Sequence, residues 1–223
     1  MMSRRLQRHV RLRIVSLPLS AQAWVVIDAQ RGFVDPSGSL ARTYGVEEVR
    51  PGVAALGRLR ERLAVGALAG PAVWVRSEYR PGQFTDGQLN HGLADLCVPG
   101  RNVDCEWAAG VDVPAHHVVV TKHHADAWHS DVFRAAIEQV LQSGVGRIIV
   151  VGFQFTTCVA ASAVSMLDAV RDRGVRVAVI EELTGSRASS YLPGASGLSR
   201  VELTRQRLRS VGVELVRDVE RAV

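Results

Sequence analysis

Five short runs rich in Val and Ile punctuate the chain: AWVVID (23–28), AVWVRS (72–77), HVVVTK (117–122), RIIVVG (147–152) and VRVAVIEE (175–182). Each is nearly continuous rather than alternating, the pattern of a strand covered on both faces. Segments with helical spacing separate them, among them VEEVRPGVAALGRLRERLAV, HSDVFRAAIEQVLQSG and CVAASAVSMLDAVRDRG. The last two end in Gly144 and Gly174, expected helix stops. A helix around 196–210 and a weak strand, VELVRD, close the chain. Strand, helix, strand at this rhythm predicts an α/β fold, a doubly wound three-layer α/β/α domain on a mostly parallel sheet.

One long irregular stretch, roughly 77–116, interrupts the rhythm; it holds Gly, Pro, Asn and Asp together with Tyr79, Phe84 and Trp107. A loop of that length in a compact domain is expected to act as a lid or binding element. The 223 residues suit a single domain over 21–223, with residues 1–20 as a flexible basic arm.

Charge changes this picture little. The net +5 arises because Arg4, Arg5, Arg8, Arg11 and Arg13 precede the first acid, Asp28, and the remaining basic and acidic residues balance. A neutral body does not suggest nucleic acid as a partner. No apolar run approaches the length of a membrane span. Cys97, Cys105 and Cys158 form an odd set with no metal-type spacing, so neither a disulfide framework nor a zinc site is expected, and the chain reads as cytoplasmic.

Among 27 basic residues a single one, Lys122, is a lysine. Arginine cannot replace lysine where the chemistry needs a compact ammonium with a movable pKa. In a doubly wound sheet, ligands bind beyond the carboxyl ends of the strands. The first run ends in Asp28, the third in Lys122, and the fourth leads into GFQFTTCVAASA, which puts Cys158 at a helix start. A thiol there feels the positive end of the helix dipole, and a nearby ammonium lowers its pKa further. A carboxylate can take the thiol proton and return it to a leaving amine. Backbone N–H groups around Thr157 and Cys158 would face the oxyanion.

Three motifs carry a resemblance: VVIDAQRGFVDPSGSL, VVVTKHHADAW and VVGFQFTTCVAASA. Together, across residues 23 to about 185, they resemble the isochorismatase-like cysteine hydrolases, which include nicotinamidases, N-carbamoylsarcosine amidohydrolase, ureidoacrylate and biuret hydrolases, and isochorismatase itself. The resemblance implies a triad of Asp28, Lys122 and Cys158. It also implies a cis peptide between Phe153 and Gln154 that shapes the oxyanion hole, a six-stranded sheet, and a homodimer or homotetramer.

Two positions depart from the family pattern: Phe155 and Ser162 stand where threonines are usual, which makes the wall beside the nucleophile more apolar. The Asp-x-His of metal-binding nicotinamidases is absent from VRSEYRPGQFTDGQLNHG, so no metal and no cofactor is expected. His116, His117, His123 and His124 do not change this, because neighbours on a strand point to opposite faces. Keeping Cys158 favours hydrolysis of a C–N bond in a small amide or ureido substrate. A vinyl ether hydrolase and an inactive binding or scaffold homologue stay open as alternatives. Phe33, Tyr79, Phe84, Trp128 and Phe155 are candidate pocket residues, and Gln30 is a candidate for ordering the loop or meeting substrate. Arg76, Arg80 and Arg187 are candidate carboxylate clamps beside their plainer reading as solvated charges.

Overall fold

A computed structural model describes residues 22–66, 68, 70–88 and 91–218; the expected basic arm over 1–20 lies outside the described residues. In chain order the elements are β1 (Gln22–Ile27), α1 (Arg31–Val34), α2 (Ser39–Tyr44), α3 (Val46–Ala64), β2 (Ala72–Ser77) and β3 (Val118–Lys122). They continue with α4 (Asp131–Gln142), β4 (Arg147–Phe153), α5 (Ala160–Val170), β5 (Arg176–Gly185), α6 (Arg200–Val211) and β6 (Glu214–Val216). All six strands form one parallel sheet in the order β3-β2-β1-β4-β5-β6.

The continuous apolar runs behave as expected of doubly covered strands. In β1, Ala23, Val25 and Ile27 pack with Phe133, Ile137, Ala163, Met166 and Leu208 of the α4, α5 and α6 layer. Trp24 and Val26 point the other way, against Val49, Leu56 and Leu59 of α3. Trp24 and Trp74 are almost wholly buried, and truncation of either to Ala costs on the order of 3–5 kcal/mol.

β3 departs from the pattern. Val118 and Val119 are 39% and 45% exposed, because β3 has a neighbour on one side alone; its run is apolar without being fully covered.

Local signals set the helix ends. Ser199 caps α6 by accepting from the Glu202 N–H at 3.0 Å, with the acid in the first turn as such caps favour. Gly144 and Gly174 follow α4 and the turn after α5 with φ of 80° and 69°, the left-handed stop anticipated from the sequence. Gly152 has a different task. Its φ is 117°, and a Cβ there would meet the Ile27 carbonyl oxygen at 2.0 Å, so glycine alone lets β1 and β4 approach at the point where the strand order reverses.

The stretch from 78 to 117 contains turns and a short 3₁₀ turn, Val103–Cys105. Tyr79, Leu96, Cys97, Ala108 and Val111 anchor it in the α3-side core. Asp104, fully buried, accepts from the Ser39 and Cys97 N–H groups at 3.2 and 3.4 Å and faces Arg42.

Candidate active site

Parallel register brings four strand ends to one level. Ile27 pairs with Val75 and with Gly152, and Ser77 pairs with Lys122. Asp28 therefore emerges beside Ser77, Lys122 and the turn that follows β4. That turn, Phe155–Val159, is a single π-helical turn leading into α5, and it carries Cys158. Asp28 has a φ of 53°, a conformation that non-glycine residues adopt infrequently and that tends to gather at functional positions.

Lys122 Nζ lies 3.0 Å from Asp28 Oδ2 and 3.6 Å from Cys158 Sγ. It also donates to Ser77 Oγ at 2.7 Å, Tyr79 OH at 3.0 Å and the His124 carbonyl at 3.1 Å. Ser77 Oγ in turn donates to Asp28 Oδ1 at 2.8 Å and stands 2.7 Å from Tyr79 OH. Asp28 Oδ2 is buried and meets the Lys122 ammonium in a close ion pair, while Oδ1 takes the Ser77 hydroxyl.

Burial dominates the electrostatics. It raises the Asp28 carboxyl above its ordinary 3.8, against the opposing pull of Lys122 and of hydrogen bonds from Lys122, Ser77 and Cys158. It also raises the Cys158 thiol above 9.0, and the neighbouring ammonium offsets this in part. The expected lowering of the thiol pKa is thus reversed: the site withdraws sulfur from water more than it surrounds it with positive charge. Burial pulls Lys122 down, yet Asp28, Cys158 and Tyr79 outweigh it and hold the ammonium well above 10.5.

The Phe153–Gln154 peptide is cis, as the resemblance implied. Phe153 is fully buried at the end of β4. The Gln154 backbone N–H favours the Cys158 thiolate, a small pull against burial. Thr157, expected at the oxyanion site, donates its N–H to the Gln154 carbonyl at 3.1 Å, which ties that donor into the turn. Ser186 Oγ accepts from the Thr156 N–H at 3.0 Å and steadies the same turn.

A cavity of about 220 Å³ opens in front of Cys158, smaller than the ~300–1,000 Å³ usual for drug-sized ligands. Of the expected pocket residues Phe33, Tyr79 and Phe84 border it, together with the oxyanion candidates Gln154 and Thr157, the candidate clamp Arg187, and Leu40, Tyr44, Leu93, Leu96, Thr156 and Arg200. Three expected pocket residues lie elsewhere. Phe155 turns into the core beneath the nucleophile. Trp128 packs edge-on against Phe133 of α4 at 6.0 Å. Gln30 is fully buried, and its amide pairs with the Ser77 backbone, accepting from N–H at 2.6 Å and donating to the carbonyl at 3.0 Å; it holds β2 and the Cys105 carbonyl in place. Two of the candidate clamps, Arg76 and Arg80, are not among the residues bordering the cavity; Arg76 pairs with Glu78 at 2.9 Å.

Ser77 was missed in the sequence although it ends β2, where the strand-end rule would have found it. The cavity's aliphatic side chains carried no comparable signal. The four histidines flank β3 rather than lie in it, and the His116 and His117 rings meet edge-on at 4.4 Å, so the strand argument for their separation does not hold; His117 Nδ1 accepts from Trp74 Nε1 at 3.0 Å, and His123 Nδ1 contacts the Glu78 carbonyl at 2.7 Å. Among the described residues no three of His, Cys, Asp and Glu come together as a metal-ligand set. No described helix is long and apolar enough to cross a membrane.

The sheet order is that of a doubly wound three-layer α/β/α domain, with the side-chain cluster beyond its strand ends at the reversal point. Residues 22–195 match the isochorismatase domain model, and the chain belongs to the isochorismatase family. PnC1 from L. infantum, solved in complex with nicotinate, superposes with a TM-score of 0.67 at 19% identity, covering 91% of this chain and 96% of that one. The pyrazinamidase of Pyrococcus horikoshii, solved with zinc, gives 0.65 at 18% identity over 89% and 99%. N-carbamoylsarcosine amidase from Thermoplasma acidophilum gives 0.59 at 17% over 88% and 95%. At these identities the likeness establishes the fold. A search of curated proteins finds no match.

Proposed function

We propose that this isochorismatase-family hydrolase cleaves a C–N bond of a small amide or ureido compound through a thioester on Cys158. The observation that carries the reading is the placement of Cys158 Sγ and the Asp28 carboxylate around one buried ammonium, at 3.6 and 3.0 Å. Amide-hydrolysing neighbours of the same fold support it.

Asp28 takes the Cys158 proton as sulfur adds to the substrate carbonyl, forming a C–S bond and an oxyanion near the Gln154 N–H. The proton passes from Asp28 to the nitrogen, the C–N bond breaks, and ammonia or an amine leaves. Asp28 then takes a proton from water, whose oxygen attacks the thioester; the C–S bond breaks and sulfur regains the proton. Lys122 stays charged and balances whichever of Asp28 and Cys158 is anionic. A raised thiol pKa fits this scheme, because deprotonation accompanies attack rather than preceding it.

Acid quenching during turnover, followed by mass spectrometry of the Cys158 peptide, tests the proposal. An acyl adduct on Cys158 is expected; turnover without one contradicts a covalent route.

A further inference from the structure

The cavity in front of Cys158 joins an apolar wall to a pair of cations. Phe33, Leu40, Phe84, Leu93 and Leu96 supply the wall, and Arg187 and Arg200 border the same space. Among the described residues no carboxylate side chain lines it. Arg187 is half-buried and held in place. Its guanidinium lies 4.1 Å from the centre of the Tyr44 ring, and its Nε is 3.9 Å from Glu48 Oε2. Glu48 is itself engaged, accepting from the Ser189 N–H at 3.1 Å and the Ser189 hydroxyl at 2.5 Å. The cation–π contact holds the guanidinium over the Tyr44 ring, while the distance to Glu48 exceeds a hydrogen bond. The planar fork is therefore oriented without being consumed, the condition for receiving a bidentate anion.

Resting on the amide-hydrolase reading, we propose that the substrate is an anionic amide or ureide. Its carbonyl sits at Cys158, its apolar body lies against Phe33, Leu40, Phe84 and Leu96, and its carboxylate meets Arg187 and Arg200. A neutral amide of the same shape would fill the wall and leave Arg187 with Glu48 as its carboxylate neighbour and no anion on the cavity side.

The test is protection of Cys158 from iodoacetamide in the full chain, read by mass spectrometry of the Cys158 peptide. Phenylacetate and 4-phenylbutyrate are compared with 2-phenylethanol and 4-phenylbutanol. The acids are expected to protect at concentrations about tenfold below the alcohols, the scale of a charged hydrogen-bonded contact, and Arg187→Met with Arg200→Met together should abolish that advantage. Arg200 is exposed, so Arg200→Met alone preserves the fold and should remove part of it; Arg187→Lys should restore less than the native arginine. Equal protection by acid and alcohol, protection by neither, or an acid advantage that survives the double substitution would overturn the proposal. Because the readout is cavity occupancy, failure of the hydrolase reading shows itself separately, as absent turnover with acid protection intact.

Discussion

Lys122 Nζ stands 3.0 Å from Asp28 Oδ2 with 1% and 0% of the two side chains exposed. The chain's one lysine is therefore the counter-charge of a buried carboxylate, and it reaches the nucleophilic sulfur as well. Lys122→Met strands that carboxylate and is expected to cost about 3–5 kcal/mol of stability, measured by urea denaturation. Lys122→Arg keeps the charge but brings a planar fork to a site built around a point cation, and hydrolysis should not recover.

Asp28→Asn is nearly isosteric and removes the proton acceptor. Amide hydrolysis should fall about 10²–10⁴-fold, the usual worth of a positioned acid–base group, with the far-UV spectrum unchanged. Activity within a few-fold of the native protein would assign the proton transfer to another group.

Ser77 touches Asp28, Lys122 and Tyr79 at once and does not border the cavity, so it acts by positioning. Ser77→Ala should lower kcat by about tenfold, the worth of a lost hydrogen bond to a charged group, and leave KM nearly unchanged. A rise in KM alone would place Ser77 in substrate binding instead.

Burial raises the Cys158 thiol above its ordinary 9.0, which has a consequence for stability. A raised folded pKa means the native state holds this proton more tightly than the unfolded chain, so its contribution is complete below pH 9.0 and is lost as pH rises through the folded value. Melting temperatures followed upward from pH 8 should fall more steeply for the native protein than for Cys158→Ala. Parallel curves would show that the thiol is not withdrawn from water.

The sheet and three of its four site-forming strand ends were legible because buried parallel strands leave continuous apolar runs and their ends bear the chemistry. Asp28, Lys122 and Cys158 are therefore visible as sequence features. The cavity was less so. Leu40 and Tyr44 reach it from α2, and Leu93 and Leu96 from the long irregular stretch, elements whose path depends on buried contacts such as those of Asp104 rather than on local periodicity. Phe155 reads as pocket by its place beside the nucleophile, but the π-helical turn directs it inward. The direction of the Cys158 shift is hidden from sequence for a related reason: dipole and charge can be inferred from sequence neighbours, whereas desolvation depends on everything packed around the sulfur.

The central claim is that Cys158 attacks a C–N-bonded carbonyl. Ammonia release from a panel of primary amides, carbamoyl amino acids, biuret and nicotinamide, run side by side for the native protein and Cys158→Ala, tests it most directly. The account predicts release from at least one compound by the native protein and its loss in the variant; ammonia release that persists in Cys158→Ala would contradict it.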